Sequence, residues 1–79
     1  MTTTSTGTAR NGPGIYHGFT ATTGSGTVSV YNGLDATGTL IHQVTNPTLG
    51  VFQAAPGAPI ACDNIWAVQG SRTIAYRID

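Results

Sequence analysis

The chain has 79 residues with three Arg, no Lys, three Asp and no Glu, so its formal charge is zero and only 8% of its residues are charged, against about 25% in ordinary soluble domains. That length allows one domain and excludes an enzyme built from separate cofactor and substrate units, while the neutral charge excludes the basic stripe that nucleic acid demands. A hydrophobic fraction of 39% also sets the chain apart from disordered segments, which combine low hydrophobicity with high net charge.

Residues 1–12, MTTTSTGTARNG, contain no large apolar side chain after Met1. They read as an extended N-terminal arm with nothing to bury in the domain's own core, its threonines favouring extended backbone. The domain proper is expected over residues 13–79. No window repeats apolar residues at helical spacing, so the elements beyond the arm read as strands. The first covers 15–22, with Ile15, His17, Phe19 and Ala21 on one face, and stops at Gly24-Ser25-Gly26. The second, 27–31, sets Val28 and Val30 against Ser29 and Tyr31 and ends at Asn32-Gly33, two residues that tolerate positive φ. After a loop at 34–38, a third strand over 39–45 puts Leu40, His42 and Val44 on one face and Ile41 and Gln43 on the other, until Asn46-Pro47 stops it. A short apolar piece, 49–53, leads into a corner at 54–59 whose two prolines forbid central ladder pairing. Strands at 60–62, 65–69 and 72–78 follow, the last alternating Ile74, Tyr76 and Ile78 inward with Thr73, Ala75 and Arg77 outward. Six or seven short strands joined by Gly, Asn and Pro turns predict an all-β fold, a small antiparallel β-sandwich of jelly-roll or Greek-key type. No fixed repeat points to a solenoid or propeller.

A domain this small usually needs a staple beyond its core. Cys62 is the only cysteine, so no disulfide can close within the chain, and its neighbours Ile60 and Ile65 suit a buried thiol. A structural zinc site wants about four Cys or His ligands in tight spacing, whereas His17, His42 and Cys62 are scattered. No metal and no cofactor is therefore expected. Oligomerisation remains, and it accounts for the missing charge, because a surface destined for other subunits can do without the Lys and Glu that keep monomers apart. No stretch approaches the ~18 apolar residues of a membrane helix, and the N-terminus lacks the charged and apolar segments of a signal peptide. A soluble product made in the cytoplasm, with no membrane and no direct nucleic-acid partner, is expected.

Chemistry finds little footing. Paired-carboxylate catalysis would have to draw on Asp35, Asp63 and Asp79, and the first two stand where Asp serves local turns. Cys62 with either histidine makes a conceivable nucleophile and base but has no supporting motif. The runs Gly12-Pro13-Gly14 and Gly24-Ser25-Gly26 lack the following helix that makes a phosphate cradle. His17 and His42, bridging subunits around an axis, could bind metal or sense pH; core or interface histidines are the simpler reading. Trp66 with Tyr16, Tyr31 or Tyr76 could stack sugars, and burial at a subunit contact suits the same residues.

The succession Gly14-Ile15-Tyr16-His17-Gly18, Thr27-Val28-Ser29-Val30-Tyr31-Asn32-Gly33, Gly38-Thr39-Leu40-Ile41, Pro59-Ile60-Ala61-Cys62-Asp63-Asn64-Ile65-Trp66-Ala67-Val68 and Thr73-Ile74-Ala75-Tyr76 resembles small virion proteins of tailed bacteriophages. The resemblance covers most of the chain from residue 14 onward and is carried by the order of generic turn and strand words. It implies no catalytic residues. It implies a structural protein of the virion, a head decoration or cement protein that clusters as a trimer on the major capsid protein, with a neck or tail component or a small carbohydrate-binding or host-surface module as alternatives. The residues expected at subunit or shell contacts are Thr2, Thr3, Thr4, Thr6 and Thr8 of the arm, the aromatics Tyr16, Tyr31 and Trp66, and Arg72 and Arg77.

Overall fold

A computed structural model describes residues 2–3 and 5–79. Among them the regular elements are all strands: β1 (Thr2–Thr3), β2 (Gly7–Arg10), β3 (Gly14–Ala21), β4 (Thr27–Asn32), β5 (Thr39–Thr45), β6 (Phe52–Ala54), β7 (Ile60–Cys62), β8 (Ile65–Val68) and β9 (Ile74–Ile78). The strands build two antiparallel sheets. In one the order is β1-β9-β3, with β6 and β7 paired one after the other along the far side of β3; in the other it is β2-β8-β4-β5. Most strand boundaries fall where the Gly, Asn and Pro punctuation puts them, because those residues accept the turn conformations that others resist. The corner at 54–59 runs through a cis Ala58–Pro59 bond.

The N-terminal segment departs from its expected role. Thr2–Thr3 pairs with β9 as an edge of one sheet, and Gly7–Arg10 pairs with β8 as an edge of the other. Residues 7–10 are thus part of the domain, and Ala9 is fully buried in its core. An edge strand needs β-propensity more than bulk, and one methyl group at a register shift between Thr8 and Arg10 is enough to fill its share. Between the two strands Thr6 ties the segment down, its Oγ accepting the backbone N–H groups of Gln69 at 3.0 Å and Gly70 at 3.1 Å.

One core serves both sheets. Val28, Val30, Ile65 and Ala67 come from one side and Tyr16, Phe19, Ala21, Ile74 and Tyr76 from the other. Two irregularities alter which side chains reach it. On β3 the register with β9 shifts between Tyr16 and Gly18, leaving His17 as an extra residue. Tyr16 is therefore buried and Ile15 faces solvent, 36% exposed, the reverse of simple alternation, whereas Phe19 and Ala21 point inward as expected. Gly18 is required here: a Cβ on it would run into the carbonyl oxygen of Gln53. On β5 a shift opposite Val30 and Tyr31 inserts Ile41, so Ile41 joins His42 against the core while Leu40 is 46% exposed. A bulge of this kind adds one residue and reverses the phase of all that precedes it.

The radius of gyration is 10.9 Å, against about 12 Å expected for a domain of this length. The accessible surface of 4050 Å² lies below the roughly 4,500 Å² typical of a monomer this size. The buried apolar cluster is closed by residues of the one chain.

Candidate functional site

The alternation along β8 buries Ile65 and Ala67 and turns Trp66 and Val68 outward. Because residues opposite one another in neighbouring strands share a face, the register continues this outward set across the whole sheet. Thr8 of β2 lies opposite Trp66, Trp66 opposite Tyr31 of β4, and Tyr31 opposite Leu40 of β5. The result is one row, Thr8-Trp66-Tyr31-Leu40, running from edge to edge without a charged side chain. A second row beside it holds Val68, Ser29 and Gln43, with the Gln43 amide donating to Ser29 Oγ at 3.0 Å. Past the end of β4, the loop at 33–38 projects Leu34, 73% exposed. Asp35 accepts the backbone N–H of Thr37 at 2.9 Å and its hydroxyl at 2.5 Å. Those bonds, the hydroxyl first, hold the Asp35 carboxyl below the usual range.

Polar side chains also lie inside the fold. The Tyr16 hydroxyl meets His42 Nδ1 at 2.8 Å, and the rings of Phe19 and Tyr16 pack on the imidazole with centroids 5.0 Å and 5.8 Å away. Burial pushes the His42 pKa down and the Tyr16 pKa up, the latter helped by Tyr76 and Cys62, so a neutral ring and a neutral phenol share the hydrogen bond. Tyr76 donates to Gln69 Oε1 at 2.6 Å, and the Gln69 amide donates to the carbonyl of Arg72 at 2.8 Å. Arg72 itself is 3% exposed, and neither Nη1 nor Nη2 has a hydrogen-bond partner.

A cleft of about 390 Å³ lies along Pro13, Gly14, Ile15, Ala61, Cys62 and Asp63. Burial, then the neighbouring Asp63, pushes the Cys62 thiol up, and its S–H leans on the Ile60 carbonyl at 3.6 Å. No histidine lines the cleft. His42 is committed to Tyr16, and His17 Nε2 meets Asp79 Oδ2 at 2.8 Å on the surface. The arrangement supplies neither an activated thiolate nor a base for one. Among the described residues no three His, Cys, Asp or Glu side chains gather as a metal site, and no helix is long and apolar enough to cross a membrane.

The residues expected at contacts therefore separate. Thr8, Tyr31 and Trp66 come together on the outer row; Thr2 and Thr6 are exposed along the N-terminal strands. Thr3 pairs with Ile74 in β9, and Thr4 lies outside the described residues. Arg77 is exposed on the outer side of β9. Tyr16 is corrected: it is fully buried in its own core, turned in by the bulge at His17. Arg72 is buried as well within the single chain. Leu40 was not among the expected contacts, because simple alternation places it inward with His42; its position depends on the extra residue at Ile41. Leu34 could have been singled out by its place in a polar turn.

Comparison with known protein families, with curated proteins and with solved structures finds no match for the chain.

Proposed function

We propose that this protein is a non-catalytic structural subunit that acts by burying its surface against other protein chains. The observation that carries the reading is the uncharged row Thr8-Trp66-Tyr31-Leu40, whose aromatic centre suits the buried middle of a contact. Following the resemblance, the setting is the virion: a decoration protein that binds the head lattice of a phage as an oligomer, a trimer in the simplest case, on a sandwich of jelly-roll or Greek-key type. Each contact of standard size removes about 1,600 Å² from water, and repetition over a lattice lets modest contacts add to firm attachment. A neck or tail position would use the same surface.

The test is the mass of the native protein, followed by imaging of particles with and without it. Trp66→Ser should leave the fold intact and dissociate the oligomer or release it from shells. A wild-type chain that stays monomeric and does not decorate particles defeats the reading. One observation favours a second: Trp66 and Tyr31 stand directly opposite across two strands, the arrangement of a sugar-stacking platform. A glycan that quenches Trp66 fluorescence at a monomer's mass would establish that reading in place of the first.

A further inference from the structure

Arg72 is the one polar side chain among the described residues whose buried atoms have no partner. A guanidinium cannot shed its proton in a protein, and an isolated buried charge is among the most unfavourable groups a fold can hold. What covers it is thin. The turn at 22–26 lies against it, and a Cβ on Gly24 would come within 2.8 Å of Arg72 Cβ and 3.3 Å of Nε, so only glycine fits. A Cβ on Gly26 would lie 3.9 Å from Nη2. Both glycines have positive φ, 82° and 101°, and Gly24 and Ser25 are exposed. Anchors sit on either side: Thr22 donates to the Thr73 carbonyl, Thr23 Oγ accepts from Thr73 N, and Gly26 exchanges bonds with Asn46. Only Gly24 and Ser25 lie between these anchors, both exposed.

The chain also holds the complementary charge, at its other end. Among the described residues the one ion pair is His17 with Asp79, so no arginine is matched to a carboxylate. Strand β4 begins just after the glycine turn and ends just before the loop that carries Asp35. Six residues of strand at about 3.3 Å each put these two features roughly 20 Å apart, too far to pair within one chain. Asp35 stands on an exposed tip next to Leu34, the most exposed large apolar side chain.

We infer that copies of this chain join head to tail, the 33–38 loop of one seating Asp35 against Arg72 of the next where Gly24 and Ser25 give way between their anchors. The inference rests on the self-assembly reading and specifies a heterologous contact, the kind that closes into a ring or runs on as a filament. Leu34 is buried beside the ion pair, and the guanidinium gains a charge-assisted bond to Asp35 Oδ2, the oxygen that Thr37 does not use.

The test uses the whole chain. Asp35→Asn keeps an oxygen for Thr37 and so keeps the loop; it should weaken association by about 30-fold or more, as loss of one partner of a buried charge pair does. Arg72→Met should do the same. A mixture of Ser25→Cys and Ala36→Cys chains should form mixed disulfide dimers that neither variant forms alone. An oligomer unaffected by Asp35→Asn and giving no mixed disulfide overturns this contact and leaves self-assembly standing. A chain that is monomeric at all concentrations overturns both. If sodium sulfate, against sodium chloride at equal ionic strength, raises the melting temperature of wild type and of Asp35→Asn alike but not that of Arg72→Met, a free oxyanion fills the site and Asp35 is overturned as its occupant.

Discussion

The Tyr16–His42 pair and the Arg72 guanidinium are both shut away from water, and the fold treats them in opposite ways. At the first, two strands from different sheets each contribute one polar atom, the atoms meet at 2.8 Å, and aromatic rings wall off the rest. At the second, a permanent charge lies under a glycine turn with two nitrogens unmatched. A buried hydrogen bond contributes little net stability when made but is expensive to leave half made. The first site is a finished interior joint. The second is left open within the chain, and the proposed contact would complete it with a carboxylate from another copy.

The largest way to break the contrast is to open the finished joint. Phe19 is fully buried and packs on His42 and Tyr76 together, its centroid 6.0 Å from the second ring. Phe19→Ala should cost about 3–5 kcal/mol, enough to unfold much of a domain this small, and chemical denaturation would read it. Next comes Tyr16→Phe, which keeps the ring and leaves His42 Nδ1 without its hydrogen-bond partner, for a loss of about 1–3 kcal/mol. Arg72→Met sharpens the comparison by its sign. Removing an unmatched charge should raise the stability of the dissociated chain, so the same measurement moves up at one site and down at the other.

How much of this could be read in the chain follows from where its physics is local. Turn residues act on their own backbone, and so Gly24-Ser25-Gly26, Asn32-Gly33 and Asn46-Pro47 marked real boundaries. The alternation of Ile74, Tyr76 and Ile78 likewise gave a core face that the structure keeps. Bulges are not local in this sense. The extra residues at His17 and Ile41 serve the twist and registry of neighbouring strands, and each reverses the face of the residues before it, which is why Ile15, Tyr16 and Leu40 were misplaced. The N-terminal strands were missed for another reason: an edge strand that buries one alanine carries almost no hydrophobic signal. Burial of Arg72 has no local mark at all, since the turn that covers it comes from residues some fifty positions earlier in the chain.

The smallest effect separates the two sites by pH. Burial lowers the His42 pKa from its ordinary 6.5, so below 6.5 the unfolded chain binds a proton that the folded chain refuses. Stability should therefore be constant above that point with respect to this group and fall as pH drops through and below 6.5. Asp35, held down by Thr37, has the opposite sense of charge but a separate window: its contribution is present above the ordinary 3.8 and is lost only below it. Between these limits His42 contributes a slope and Asp35 does not. His42→Gln, which still offers an acceptor to the Tyr16 hydroxyl, should flatten the slope, whereas Arg72→Met should shift the whole curve upward and leave its shape alone, because a guanidinium stays protonated throughout. Denaturation midpoints across that pH range would distinguish the two, and an Arg72→Met curve with altered slope would mean that the cation and the imidazole share one network.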